Sequence, residues 1–218
     1  MIAYKLTHKD RTTYGGFLWP EPGGEWVETS GEGPLCGPGW LHWYTDPILA
    51  VFINPIHANI PEDDMLLWEA DVDGRRLDDK GLKFGTTRGR LMKQIEVPHI
   101  TREERICVAI MLTKAVLIPG EIPVWDKWAN NYLSNIDRSN RAAAPAACAT
   151  YAAAGVAYAA ANAAQAACAT RAATYTADAA YAARAAAQAA DLDLAYIIIK
   201  AIEAERKRVR GETNVQES

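Results

Sequence analysis

Short apolar runs alternate with turn residues in the first half of the chain, which is typical of a β-rich domain. Gly15-Gly16 and the Pro-Gly-Gly segment 22–24 each precede an aromatic run, so two hairpin turns are predicted there. Asp73-Gly74 is predicted to close a strand as a turn, with a charged loop after it. The predicted strands are residues 2–7, 40–44, 65–72 and 93–97.

Two sites in the same half carry helix-start signals. Asp46 before Pro47 matches an N-cap followed by a first-turn proline, and this helix is predicted to end near residue 53, ahead of Asn54-Pro55. Thr101 and Glu104 have the spacing of a capping box. An apolar run, residues 106–117, follows it. Periodicity alone leaves a buried strand and a buried helix both open for that run.

The second half has helical spacing throughout. From residue 142 to residue 190, 30 of 49 residues are alanine, and the larger residues recur every three or four positions. Alanine has the highest helix propensity, so helices are predicted there, with breaks near residues 145, 170–176 and 191–193. An amphipathic helix ahead of them is marked by Trp125, Trp128, Tyr132, Leu133 and Ile136.

The distribution of large side chains predicts the fold class. Five of the seven tryptophans lie at positions 19, 26, 40, 43 and 68, so a conventional core is expected only in the first part of the chain. We predict an α+β protein: a small mixed or antiparallel β domain with one or two short helices, followed by an alanine-rich all-α hairpin or bundle. The predicted bounds are residues 1–120 for the head, 121–210 for the helical domain and 211–218 for a disordered tail.

Charge and cysteine usage narrow the class of function. The net charge is −4 and no basic stripe appears in the head, which argues against a nucleic-acid partner. A basic cluster at 206–208 suits the end of a helix better than a nucleic-acid or membrane patch. Neither metal-ligand spacing nor a disulfide pattern occurs. The four cysteines are Cys36, Cys107, Cys148 and Cys168.

Location and membrane association follow from the apolar segments. The sequence begins without an apolar signal core, and no stretch reaches the ~18–20 apolar residues of a membrane span. We therefore expect a cytoplasmic protein of a bacterium or a phage-infected cell, with the virion as an alternative, and no membrane partner.

Individual polar residues allow both functional and structural interpretations. His42 either faces a pocket or is a core or edge histidine, and Glu62-Asp63-Asp64 either binds a cation or is a solvated turn. Asp71 and Asp73 share a strand face and are either a pair of catalytic carboxylates or ordinary exposed acids at the end of a strand. No nucleophile elbow, phosphate loop or dinucleotide fingerprint is present. Four tyrosines are partner-interface candidates or fill gaps between helices: Tyr151, Tyr158, Tyr175 and Tyr181.

Several short motifs occur in one order along the head: Tyr4-Lys5, Gly16-Phe17, Gly24, residues 35–42 and residues 67–74. This order resembles a domain family of phage and bacterial proteins that has no assigned activity. Tyr44 stands where that family has a second cysteine. The alanine-rich part is similar to the helical region of proteins labelled as immunity proteins.

The order of elements in the head also resembles the ADP-ribosyltransferase fold, with a first strand ending in His8, a glycine-led strand that runs into a small helix, and a later strand at 66–74. The resemblance implies an NAD site in which His8 contacts the ribose and Glu96 is the late carboxylate. It makes His42 a further catalytic candidate, and Leu41 occupies the position of the stacking tyrosine. The implied ligand contacts are Tyr4, Trp40 and Tyr44.

Three functional hypotheses result. The leading one is a phage or bacterial accessory protein that acts by binding a protein partner or itself, with the head as recognition module and the tail as scaffold, and without chemistry, metal or cofactor. The second is an NAD- or nucleotide-binding domain of ADP-ribosyltransferase type with an altered catalytic site. The third is a virion structural or cement protein.

Overall fold

The computed structural model describes residues 1–79, 81–116, 120, 122–139, 141–143 and 193–212. Within these residues the fold is α+β, as predicted, with an antiparallel sheet and four α-helices. The chain divides into two compact units, Met1–His99 and Ile100–Ser218. The division between His99 and Ile100 comes earlier in the chain than the predicted boundary after residue 120. The apolar run 106–117 therefore belongs to the second unit rather than to the head.

One antiparallel sheet forms most of the N-terminal unit. Its long strand β6 pairs with β1 on one side and with β7 on the other. On the side of β7 away from β6, β4 and β5 pair with successive segments of β7. The strands are β1 (Ile2–His8), β2 (Thr12–Thr13), β3 (Phe17–Leu18), β4 (Val27–Glu28), β5 (Leu41–Trp43), β6 (Met65–Asp79) and β7 (Lys83–Ile95).

The sheet closes on itself at one point. Tyr44, the residue after β5, exchanges two 2.9 Å backbone hydrogen bonds with Tyr4 of β1. Because β5 also pairs with β7, the strands return to their starting edge and enclose an apolar interior. The buried side chains of that interior are Ala3, Trp19, Leu41, Trp43, Trp68, Ala70, Val72, Phe84 and Leu91.

Helix α1 (Pro47–His57) packs against β1, and its start is as predicted, because the Asp46 carboxylate accepts a 2.7 Å hydrogen bond from the Ile48 amide. Its predicted end near residue 53 is wrong. Pro55 lies within the last turn, and the Ala58 amide bonds to the Asn54 carbonyl. The Asn54 side chain also exchanges two hydrogen bonds with the backbone of Ile60, which holds the chain as it leaves the helix.

The turn predicted at Asp73-Gly74 is instead an irregularity inside β6. The register of the pairing with β7 shifts between Asp73 and Arg76. Gly74 adopts a φ of +83°, and a Cβ added at this glycine would lie 2.2 Å from the Thr87 hydroxyl oxygen. β6 therefore continues for 15 residues, and the predicted charged loop is largely the β6–β7 hairpin. The predicted strand 93–97 is the end of β7.

The C-terminal unit contains α2 (Arg102–Val116), α3 (Pro123–Leu133) and α4 (Leu194–Val209), and α2 packs against α4 and α3. The predicted capping box is confirmed: the Glu104 amide bonds to the Thr101 hydroxyl at 3.1 Å, and the Glu104 carboxylate accepts from the Thr101 amide at 2.7 Å. Residues 106–116, for which the sequence pattern alone left strand and helix open, are therefore helical.

The predicted amphipathic helix is α3, which buries Trp125, Trp128 and Tyr132. α4 begins after Asp193, whose carboxylate caps the Tyr196 amide at 3.0 Å. The predicted helices and breaks from residue 144 to 192, and most of the predicted disordered tail, lie outside the described residues. Among the helices that are described, none is long and apolar enough to span a bilayer.

Candidate functional site

A lysine lies inside the closed sheet. Successive side chains of a strand point to opposite faces, so Lys5 shares the inward face of β1 with Ala3 and Thr7. Its ε-amino group is 4.9 Å from the Trp19 ring centroid and 5.0 Å from that of Trp43. It also donates a 2.9 Å hydrogen bond to the His42 carbonyl oxygen. We call Lys5, Trp19 and Trp43 the lysine cage.

The cage places a titratable amine in apolar surroundings. Burial lowers the pKa of Lys5 to about 7. The tryptophan faces attract the charged form, and no ion pair joins Lys5 to a carboxylate in the parts of the chain described. The interior amine can therefore be charged or neutral near neutral pH.

The tryptophans of the cage are held in place by hydrogen bonds and close packing. The Trp43 indole donates to the Thr86 hydroxyl at 2.8 Å, and that hydroxyl donates to the Arg88 carbonyl. The two cage rings meet edge to face at 5.3 Å. A Cβ at position 89 would come within 2.3 Å of Trp43, so only glycine leaves room for the ring.

A second polar cluster lies on the opposite face of β5, beneath the Gly/Pro-rich loop 31–39. The His42 ring donates from Nε2 to the Leu35 carbonyl oxygen. Beside it, the Lys83 ammonium donates to the Cys36 sulfur at 3.3 Å. Burial lowers the pKa of His42, and the charges of Lys5 and Lys83 act in the same direction, against the hydrogen bond to Leu35.

The structure brings some of the sequence-predicted site residues together at the closure of the sheet. Tyr4 and Tyr44 pair through their backbones, and the Tyr44 ring stacks on His57 at 6.1 Å between centroids. The His42 carbonyl oxygen accepts the hydrogen bond from Lys5 of the lysine cage. Trp40 lies on the outer face, where its indole donates to the Gly33 carbonyl at 3.1 Å.

Other candidates are not brought together. His8 pairs with Asp64, Nδ1 to Oδ2, at 2.6 Å. His42 lies opposite Gly85 of β7, whereas Glu96 follows Ile95 at the other end of the same strand and is exposed. Eleven positions along the chain separate Gly85 from Glu96. Because of this pairing, His42 and Glu96 lie at opposite ends of β7.

The acidic candidates face cations of the protein itself. Asp71 lies 3.5 Å from the Arg90 guanidinium, and Asp73 lies 3.6 Å from that of Arg88. No group of three or more metal-ligating side chains occurs among the residues described. The four predicted interface tyrosines fall in the segment between 144 and 192, outside the described residues.

An exposed aromatic hairpin, residues 12–18, was not predicted as a functional element. β2 and β3 pair with two residues each, and the turn between them uses Gly15 and Gly16 at positive φ. Tyr14 at its tip is 99% exposed, Leu18 57% and Phe17 45%. The signal in the sequence is an aromatic residue on either side of a Gly-Gly turn. Its apolar residues suggest a core strand, however, and only the structure shows that they point to solvent.

The sequence also does not single out Lys5 or Lys83 as candidate site residues. Alternation along β1 places Lys5 on the same face as Ala3, but this pattern does not distinguish an inward lysine from one on an exposed face. Lys83 carried no signal, because it falls in what was predicted as a charged loop.

A buried carboxylate joins two arginines in the described part of the C-terminal unit: Glu205 of α4, which is 4% exposed. Arg138 donates to both of its oxygens at 2.7 and 3.0 Å, and Arg208 does so at 2.6 and 2.9 Å. Burial by itself raises the pKa of Glu205, but the hydrogen bonds from Arg208 and Arg138 outweigh it and lower the pKa to about 2. Cys107 of α2 donates its thiol to the same carboxylate. This cluster ties α2 and α4 together.

In comparisons with known proteins, no protein-family model, curated protein or solved structure matches the chain.

Proposed function

We propose that this protein is a phage or bacterial accessory protein that acts by binding another protein, with the N-terminal unit as the recognition module. The observation that carries the proposal is the aromatic hairpin, which exposes Tyr14, Phe17 and Leu18 within five residues of one another. Aromatic side chains that are exposed in the free protein and buried on association supply much of the free energy of protein–protein interfaces.

The buried Trp19 anchors the base of the hairpin to the interior of the sheet. The Trp19 amide donates to the Arg11 carbonyl at 3.2 Å, and the Trp19 ring, 2% exposed, contacts the Phe17 ring at 5.4 Å between centroids. Arg11 in turn bonds to the Glu21 carboxylate at 2.5 Å. A hairpin anchored in this way loses little conformational entropy when a partner binds, which favours affinity.

The polar residues of the N-terminal unit support binding rather than chemistry as its role. His8, His42 and Lys5 each have a partner within the same unit, respectively a carboxylate, a backbone carbonyl, and a carbonyl with two aromatic rings. Three arginines of the sheet lie beside acids: Arg88 is 3.2 Å from Glu28, Arg90 is 3.5 Å from Asp71, and Arg76 is 3.0 Å from Asp78. That balance favours a protein partner over a polyanion.

The proposal is tested by site-specific photo-crosslinking. A benzophenone amino acid replaces Tyr14 in the full chain, which is expressed in bacterial cells and irradiated. The matched control carries the same amino acid at Tyr196, a tyrosine that is 60% exposed on α4. We expect a discrete adduct with another protein from position 14 that is absent from position 196 and is lost when Leu18→Asp is added.

Equal adduct patterns from the two positions, or none from position 14, would overturn the assignment of the hairpin. Light scattering on the purified protein separates the two kinds of protein partner. A single-chain mass together with a heterologous adduct indicates a different protein, whereas a multiple of the chain mass together with a self-adduct indicates a second copy.

A further inference from the structure

We propose that Cys36 and Lys83 form a redox-modification site, in which oxidation by a hydroperoxide links the two side chains covalently and ties the loop 31–39 to β7. The Lys83 ε-nitrogen and the Cys36 sulfur are 3.3 Å apart, within the separation typical of reacting atoms held in position. The inference does not depend on the aromatic hairpin.

The environment of Lys83 distinguishes this pair from a chance contact. The Lys83 side chain is 8% exposed, and no carboxylate forms an ion pair with it in the described parts of the chain. Its hydrogen-bond partner is the Cys36 sulfur. The Lys83 nitrogen is therefore held against a sulfur atom of the kind that hydroperoxides oxidise.

Access and positioning meet the requirements of the reaction. Cys36 is exposed, so a small hydroperoxide can reach its sulfur. The loop is held on both sides of it, because the Leu35 carbonyl accepts from His42 and the Gly37 amide donates to the Pro34 carbonyl at 2.8 Å. Leu35 itself packs over Gly85, where a Cβ would come within 2.6 Å of it.

The chemistry balances in two steps. The Cys36 thiolate attacks the hydroperoxide, the O–O bond breaks, and a sulfenic acid forms with release of an alcohol or water. The Lys83 ammonium loses a proton to solvent, and its nitrogen attacks the sulfur and displaces water. The product is a sulfenamide, an S–N bond between the two side chains, and its mass is lower by two hydrogen atoms than that of the reduced protein. A thiol such as dithiothreitol cleaves the S–N bond and restores both groups.

The chain contains its own negative control. Cys107 is buried, and burial raises the pKa of its thiol to about 12, with the Glu205 carboxylate acting in the same direction. A buried thiol of this kind is protonated and inaccessible, and it is expected to survive oxidation. Selective modification at Cys36 therefore reports on the site rather than on general oxidation.

The experiment treats the full chain with a small excess of hydrogen peroxide and maps the product by tryptic digestion and tandem mass spectrometry. We expect a dithiothreitol-sensitive peptide that joins Cys36 to Lys83, with loss of tryptic cleavage after Lys83. In Lys83→Arg, which retains the cation, the linked peptide should fall by at least about tenfold while oxygen is added to Cys36 instead.

The wild-type experiment alone can overturn the proposal, whatever the folding of the variant. If Cys36 passes only to sulfinic and sulfonic acids while tryptic cleavage after Lys83 continues, no link forms. Equal oxidation of Cys36 and Cys107 would contradict the claimed selectivity. Lys93→Arg, at an exposed position of the same strand, serves as the matched control and should leave the yield of the link unchanged.

Discussion

The ε-amino nitrogen of Lys5 lies 2.9 Å from the carbonyl oxygen of His42, so a titratable side chain bridges two strands inside the closed sheet. The pKa of that amine, lowered by burial to about 7, falls near neutral pH. The strength of the bridge and the stability of the N-terminal unit should therefore depend on pH.

Lys5→Met should remove part of the pH dependence of folding. The folded-state pKa of about 7 lies below the usual 10.5, so between these values the unfolded chain holds a proton that the folded chain does not. Unfolding free energy therefore rises with pH across that window, by an amount on the order of 5 kcal/mol. The variant should be more stable than wild type at pH 6 to 7, and the difference should narrow towards pH 10.

Denaturant titrations followed by tryptophan fluorescence at several pH values measure this difference. Lys93→Met, at an exposed lysine of β7, is the control and should parallel wild type. Parallel curves for Lys5→Met and wild type over pH 7 to 10 would contradict a neutral interior amine.

Gly89→Ala should destabilise the N-terminal unit. The new methyl group would meet the Trp43 ring at 2.3 Å, and overpacking a rigid interior costs about 1–3 kcal/mol. A double-mutant cycle with Trp43→Leu separates this clash from any backbone effect. If the alanine costs as much in the Trp43→Leu background as in wild type, the ring contact is not the cause.

Glu205→Gln should destabilise the C-terminal unit by about 2–4 kcal/mol at pH 7, because two guanidinium groups lose their shared buried carboxylate. The folded-state pKa of about 2 is below the usual 4.5, so the stabilisation by Glu205 is complete above pH 4.5 and is lost as pH falls towards 2. The stability gap between wild type and variant should close over that range.

Glu203→Gln is the matched control, since Glu203 lies on the same helix α4 and is half-exposed beside Lys200. Thermal unfolding across pH 2 to 7 gives the comparison. A control that loses as much stability as Glu205→Gln would show that burial of the Glu205 carboxylate is not what matters.

Thermal-shift assays with NAD and ADP-ribose test the alternative function. We expect no shift, because the β5–β7 register holds His42 and Glu96 at opposite ends of one strand. A true ligand at 100 times its Kd would stabilise the protein by about 2.7 kcal/mol. A shift of that size would favour the nucleotide-binding alternative over the binding role proposed here.

Local signals predicted those parts of the fold that depend on neighbouring residues. The Asp46 cap, the Thr101–Glu104 capping box and the Gly15-Gly16 hairpin turn each involve residues at most three positions apart, and each is present. Where a distant partner decides, the pattern failed. Gly74 was predicted as a turn, yet Thr87, which lies thirteen residues later, packs against it and accepts a hydrogen bond from the Arg75 amide, and the strand continues.

The sequence by itself determined the α+β class, the strand at 2–7, the amphipathic helix α3 and the concentration of tryptophans in the first unit, because periodicity and caps are properties of adjacent residues. The tertiary structure alone decided which strands pair, and with them the lysine cage, the Cys36–Lys83 pair and the outward direction of Tyr14. Lys5 and Trp43 are 38 positions apart in the chain, and only the closure of the sheet at Tyr4 and Tyr44 makes them neighbours.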